Sequence, residues 1–321
     1  MQTMKDMIHT LTLPTPYAVG EVHCYLLIGS TVTLVDAGVK TSKAWEELKS
    51  QLKRLDIEPE DVEQIILTHH HPDHMGLIES FPHLRTIAGH YKLRPWLERS
   101  EQYLQRYEQF FTLMYEEAGV PETFHSFLKT LRKPLKWTAQ SKLTLELQEG
   151  DKIPGHEDWE TIETPGHAQS HLSFFRSADG ALLGGDHLLP HISSNPLLEP
   201  PFQPGSERPK PLLQYRHSMD KILRYSVSRV YPGHGQSFSG AHELIHKRFK
   251  SQEARAEKVK KIIGSHSPMN AYQVCEHLFT KQMGSQFGLT MSETIGQLDY
   301  LESIQEIASS YDSRQKLYYV N

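Results

Sequence analysis

The chain has 321 residues, 38% hydrophobic and 23% charged, with 34 basic against 39 acidic side chains and a formal net charge of −5. That length predicts about two domains with a sizeable core, and the composition excludes a fibrous or disordered chain. The lack of a basic excess argues against a dedicated nucleic-acid coat. No apolar run approaches the ~18 residues of a membrane span, and the first twenty residues lack an apolar signal core. Cys24 and Cys275 lie too far apart in the chain to form a disulfide framework, so a cytoplasmic setting is expected. Twenty histidines are unusually many, and their placement carries the functional argument.

Residues 22–29 (VHCYLLIG) and 31–36 (TVTLVD) read as a β-hairpin. Residues 41–56 place Trp45, Leu48, Leu52 and Leu55 at helical spacing, with Thr41 or Ser42 as the cap. Residues 62–68 form a buried-type strand that runs into His69-His70-His71-Pro72-Asp73-His74. Alternating strands and helices predict an α/β fold. Residues 92–137 are expected to be a long helical insert. Within it Tyr103, Tyr107, Phe111 and Tyr115 recur at i, i+4 and share one face. Strands return over 141–187 and a Pro-rich loop follows over 188–211. A helix and the strand VSRVY then fill 213–230 and deliver Pro232-Gly233-His234-Gly235. From 242 the pattern changes to a long polar helix (242–263), helices over 271–280 and 291–305, and a final KLYYV.

Read as His-x-His-x-Asp-His, the segment 69–74 offers three imidazoles and a carboxylate within six residues, a donor set suited to zinc and similar first-row metals. It follows a strand directly, so its side chains can converge beyond the strand end. His69 and His71 share a face on a regular strand, whereas His70 points away and is expected to be a solvent-exposed bystander. Three further candidates stand beside glycine or proline at strand exits: His167 in ThrProGlyHis, Asp186 in GlyGlyAsp and His234 in ProGlyHisGly. Together they make seven candidate ligands, enough for two metals.

Over about residues 10–240 the chain resembles the metallo-β-lactamase superfamily. The resemblance rests on VDAG (35–38), THHHPDHMG (68–76), TPGHAQSH (164–171), GGDH (184–187) and YPGHG (231–235), in the family's order. It implies a four-layer αβ/βα sandwich with the site at one end of two sheets. His69, His71 and His167 would bind one metal, Asp73, His74 and His234 the second, and Asp186 both. The third motif lacks the family's usual threonine and glycine, and His171 is expected to play a structural part. The implied cofactors are two divalent ions, zinc first, with manganese and iron as alternatives. A hydroxide bridging them would be the nucleophile, with Asp73 as its catalytic orienter.

Substrate choice is read from the walls. The Tyr103/Tyr107/Phe111/Tyr115 stripe either packs its helix against the domain or lines an apolar pocket whose other wall is the 188–211 loop, and His191 in that loop is either a surface residue or a substrate contact. Tyr215 and Tyr225 are further candidate phenols. This favours a small-molecule ester, thioester or lactone. Against it stands the basic run Lys247, Arg248, Lys250, Arg255, Lys258, Lys260 and Lys261, with only Glu253 and Glu257 in opposition. The tail resembles the winged-helix module of an endoribonuclease-like branch of the superfamily. The alternative is therefore a phosphodiesterase or ribonuclease whose C-terminal domain holds nucleic acid. A non-enzymatic nucleic-acid-binding module with a structural metal ranks below both. The expected organisation is a catalytic domain over 1–241 and a small winged-helix-like domain over 242–321. No membrane partner is expected, and a homo-oligomer is compatible with the sequence.

Overall fold

A computed structural model describes residues 7–281 and 283–321; the first six residues of the expected catalytic segment lie outside it. The first sheet runs in the order β1 (Ile8–Leu13), β2 (Val22–Ile28), β3 (Val32–Val35), β4 (Gln64–Ile66), β5 (Thr86–Gly89), β6 (Leu145–Glu146). Its first three strands are antiparallel and the rest parallel. The parallel steps need crossovers, and α1 (Ser42–Lys53) supplies the first. Thr41 caps α1, its hydroxyl accepting the Ala44 N–H at 3.1 Å. The second sheet runs β11 (Arg229–Pro232), β10 (Ala181–Gly185), β9 (Leu172–Arg176), β8 (His156–Glu163), β7 (Lys152–Ile153). Its one parallel pair, β10 with β11, is joined through α4 (Pro211–Ile222).

Period-two alternation builds four layers. On β2, Val22, Cys24 and Leu26 face the layer of α1 with Leu48 and Leu52, whereas Tyr25 and Leu27 face the second sheet. Leu172, Phe174, Ala181 and Leu183 meet them from the other side. Phe175, Leu182 and Val230 turn outward onto Tyr215, Met219 and Ile222 of α4. The expected αββα sandwich is what these clusters make.

The insert is less helical than its sequence suggests. Beyond the short α2 (Arg94–Leu97), only α3 (Glu101–Glu117) is a long helix. Gly119, at φ 71°, and Pro121 stop it, and tight 3₁₀ turns cover 122–130 and 133–137. The strands that escaped the sequence reading are β1, β5 and, in the last part of the chain, β12 (Met269–Asn270) and β13 (Ile307–Asp312). Of these, β13 has only one fully buried residue, Ile307.

The last part consists of α5 (Ala241–His266), β12 (Met269–Asn270), α6 (Ala271–Leu278), α7 (Met283–Ser303), β13 and β14 (Gln315–Val320). Its strands form a three-stranded sheet in the order β12-β14-β13. The expected helix at 291–305 starts earlier, across a kink at Gln286. Helix α5 serves two cores: Ala241 and Ile245 pack beneath the second sheet, and Ala256, Val259 and Ile263 pack with Phe287, Leu298 and Tyr318. No helix among the described residues is long and apolar enough to cross a membrane.

Candidate metal centre

Four strand exits converge at one end of the sandwich. β4 leads into His69, His71, Asp73 and His74, β8 into His167, β10 into Asp186, and β11 into His234. Their donor atoms fall into three groups, each within 4.8 Å: His69, His71 and His167; His69, His74 and Asp186; Asp73, His74 and His234. His71 Nδ1 lies 3.0 Å from His69 Nε2 and 2.9 Å from His167 Nε2. Asp186 stands between the groups, its carboxylate 3.5 Å from Nε2 of His74, His167 and His234. Asp73 lies 3.3 Å from His234 Nε2. The structure thus brings together all seven residues named from the sequence.

Outer hydrogen bonds set which nitrogen of each ring faces inward. Thr68 Oγ1 donates to Asp36 at 2.8 Å, so it accepts from His69 Nδ1–H at 2.9 Å. His74 Nδ1–H donates to the same Asp36 oxygen at 2.8 Å, His167 Nδ1–H to the Asn195 carbonyl at 3.0 Å, and His234 Nδ1–H to the Glu21 carbonyl at 2.7 Å. In its neutral form each of the four rings therefore turns an Nε2 lone pair toward the centre, the tautomer a metal ligand needs. Asp36 sits at φ 62°, a left-handed conformation that costs energy for a non-glycine residue and here aims one carboxylate at both Thr68 and His74. Gly233 is required for a different reason: a Cβ there would fall 2.1 Å from Asp186 Oδ1.

The electrostatics follow from burial. Burial first, and neighbouring imidazoles second, hold His69 and His71 well below the ordinary histidine range. Burial also depresses His167. His74 is buried too, yet Asp186, Asp36 and Asp73 raise it well above that range. Burial disfavours the Asp186 carboxylate, but His234 and His74 overcome it and pull its pKa well down. His74 Nε2 and Asp186 Oδ1 are buried with no hydrogen-bond partner among the described residues. Buried polar atoms without partners are costly. Inward-facing Nε2 atoms, an ionised carboxylate and orphaned donor atoms together fit divalent cations.

Other expectations need correction. His70 is no exposed bystander: it is 7% exposed, stacks on Trp96 at 4.5 Å between centroids, and bonds Ser170 Oγ at 2.8 Å. It points away from the ligands, as strand geometry requires, but an aromatic wall covers that side. The stripe on α3 divides. Tyr103 and Tyr107 pack edge-on against Trp96, close to the metal loop. Phe111 and Tyr115 instead sit inside the C-terminal core, Tyr115 edge-on to Phe287. They do not line a pocket, because the C-terminal helices cover that half of α3. Tyr215 cannot offer its proton either, since it donates to the His187 carbonyl at 2.8 Å; Tyr225 packs on Phe175, beneath the second sheet. His171 accepts the Asp186 N–H at 3.1 Å and so supports the ligand's backbone. His191 is exposed and lies beside Gly235 at the rim.

Sequence reasoning missed three participants. Tyr17 brings a hydroxyl with no partner among the described residues to the Asp73 side; burial and the Asp73 charge raise its pKa. Glu199 is 5% exposed, accepts the Gln169 N–H at 2.7 Å and lies 3.9 Å from His70 Nε2. Burial pushes its pKa up to about 7. A carboxylate set directly between Leu198 and Pro200 was the available signal. Asn195 acts through a backbone carbonyl, which leaves no side-chain signal.

The pattern of a Metallo-beta-lactamase superfamily matches residues 17–234, which is more than half of the chain. The chain belongs to that superfamily. It is 38% identical to the Probable metallo-hydrolase YqjP of Bacillus subtilis, over 97% of this chain and 96% of the relative. The crystal structure of a metallo-beta-lactamase family protein, TTHA1429 from Thermus thermophilus, aligns over 98% of both chains with a TM-score of 0.81 and 26% identity. An Atrochrysone carboxyl ACP thioesterase of Aspergillus fumigatus is 23% identical over 72% of this chain and 56% of its own length. The protein is thus a metallo-hydrolase of this superfamily with His and Asp groups able to hold metal ions.

Proposed function

We propose that the protein hydrolyses a carbonyl ester-type bond, with thioesters first and esters and lactones beside them, using two divalent ions, zinc before manganese or iron. The carrying observation is the wall beside the metal loop. Trp96, Tyr103, Tyr107 and Phe202 pack as an aromatic cluster on which His70 of the metal loop stacks, and the Glu199 carboxyl lies within electrostatic reach of Tyr103 and Tyr107. Such a wall suits an organic acyl body. The similarity to a thioesterase supports the same choice.

When bound, the ions would polarise the carbonyl oxygen and bring a water's pKa toward neutrality. His69, His71 and His167 would hold one, Asp73, His74 and His234 the other, and Asp186 both. Asp73 orients the attacking water and accepts its proton. Tyr17 presents an unengaged O–H on that side and donates to the developing oxyanion. His191 contacts substrate from the rim. Helices α5–α7 with the β13–β14 hairpin form a winged-helix-like domain over 242–321 that covers the flank of the 1–241 catalytic domain. A small-molecule substrate in the cytoplasm completes this reading.

The second reading is RNA phosphodiester cleavage. It draws on α5, where Lys247, Lys250 and Lys258 are exposed and have no ion-pair partner among the described residues. The test is turnover by zinc- or manganese-loaded protein on thioesters, lactones, aryl esters, a bis-aryl phosphodiester and RNA, each against Asp186→Ala. Turnover confined to carbonyl substrates and lost in the variant is expected. Cleavage of RNA or phosphodiester alone would promote the second reading.

A further inference from the structure

A cavity of about 490 Å³ lies between the 193–196 segment and the C-terminal helices. It is lined by Arg248 and Arg255 of α5, Ser194 and Asn195 of the loop, and Leu289 and Glu293 of α7. Two guanidinium groups face one carboxylate. Arg255 Nε is 3.3 Å from Glu293, and its guanidinium lies over the Phe279 ring at 5.6 Å. Arg248 has no carboxylate partner among the described residues; its Nη2 donates to the carbonyls of Leu189 and Ile192, at 3.0 and 2.6 Å. The cavity therefore carries a net positive charge with guanidinium N–H groups to spare.

Its loop side is unsatisfied. Ser194 is 3% exposed, and its hydroxyl has no partner among the described residues. The Asn195 side-chain oxygen is also buried and unpartnered. Buried polar groups of this kind are normally bonded, so an orphaned donor and an orphaned acceptor on one wall describe the ligand. It brings an oxyanion for the serine and the arginines, and an N–H or O–H for the asparagine.

The cavity is also coupled to the metal centre. The Asn195 carbonyl receives the His167 Nδ1–H at 3.0 Å, and Asn195 Nδ2 donates to the Leu289 carbonyl at 3.2 Å. One residue thus holds a candidate metal ligand on one side and the cavity wall on the other.

We propose that this cavity binds the phosphate-bearing, amide-containing thiol arm of a thioester substrate, the chemistry of phosphopantetheine, while the thioester carbonyl reaches the metal centre past Asn195. This rests on the thioester reading above. Arginine suits a phosphate because its planar fork matches two oxygens at once. The arm's amide N–H groups are the donors that the Asn195 oxygen lacks.

The test is calorimetric titration of the metal-loaded full chain with 4′-phosphopantetheine and with pantetheine, which lacks only the phosphate. Arg255→Gln, Ser194→Ala and, on the exposed side of α5 outside the cavity, Lys258→Gln are titrated alongside, with circular dichroism to verify folding. Phosphopantetheine is expected to bind about tenfold more tightly than pantetheine. Arg255→Gln and Ser194→Ala should each weaken phosphopantetheine about tenfold, and Lys258→Gln should bind it as the wild type does. Equal binding of the two ligands, or an equal loss in Lys258→Gln, overturns the assignment. So does a short RNA that binds through Arg255 when phosphopantetheine does not. Thioester turnover on the same preparations separates the two ideas. Phosphate-dependent binding without turnover of any thioester rejects the hydrolase reading and keeps the site, whereas turnover without such binding rejects the site and keeps the reading.

Discussion

Glu199→Gln should make the protein more stable at pH 8 and change its stability little at pH 4. The Glu199 carboxyl is buried near Tyr103 and Tyr107, with His70 Nε2 at 3.9 Å and the partly buried Lys92 as its cationic neighbour. His70 gives no compensating charge, because burial pushes its pKa down to about 3. Burial raises Glu199 from 4.5 to about 7, against smaller opposing effects of the Gln169 N–H and Lys92. A folded-state pKa above the unfolded one means that the folded chain keeps a proton that the unfolded chain gives up. Stability from this group is complete below pH 4.5, falls as pH rises, and is lost above about pH 7. At 1.36 kcal/mol per unit the loss is about 3 kcal/mol. Glutamine retains an oxygen for the Gln169 N–H and never ionises. Urea unfolding of metal-loaded wild type and variant, paired at each pH from 4 to 8, reads the difference directly, because the shared ligand histidines cancel. A stability difference that does not grow with pH would refute the reasoning. A variant less stable than wild type at pH 8 would show instead that Lys92 holds the carboxylate ionised.

Asp186→Ala should carry at most one metal per chain, against two for wild type, because both candidate positions share its carboxylate; metal analysis of purified protein checks this. Saturating zinc should raise the melting temperature of metal-depleted protein, since binding at a thousandfold excess over Kd is worth about 4 kcal/mol per site. The same addition to Asp186→Ala should raise it far less. Tyr17→Phe should retain both metals and lower kcat about tenfold, the effect of one hydrogen bond to a developing charge; an unchanged kcat would remove Tyr17 from the site. Phe287→Ala should cost about 3–5 kcal/mol by opening a cavity in the C-terminal core, read by denaturant unfolding.

What the sequence made legible is the set of side chains whose role is local. His69, His71, Asp73 and His74 sit within one turn after one strand, and the strand's alternation decides which face the centre. His167, Asp186 and His234 are announced by glycine at strand exits, where the backbone must approach closely. Gly233 shows why: any side chain there would occupy the Asp186 carboxylate's place. The expectation for His70 was half sound. Periodicity turned it away from the ligands, but only the fold could bring Trp96 across to cover it, because that contact depends on where the insert packs.

The same reason explains the aromatic stripe. Helical spacing groups Tyr103, Tyr107, Phe111 and Tyr115 on one face and says nothing about what the face meets. One half meets the metal loop through Trp96 and the other meets Phe287, more than 170 residues downstream. Asn195 is harder still, since its backbone carbonyl orients His167 and any residue type would supply that oxygen. Its identity matters only on the opposite side, where the side-chain amide bonds Leu289 and the side-chain oxygen waits unpaired. Replacing Asn195 by alanine should therefore spare His167 as a ligand and leave metal content unchanged, while loosening the 193–196 segment against α7. Metal analysis together with hydrogen exchange in that segment separates the two roles, and loss of metal in the variant would show that the backbone alone does not hold His167.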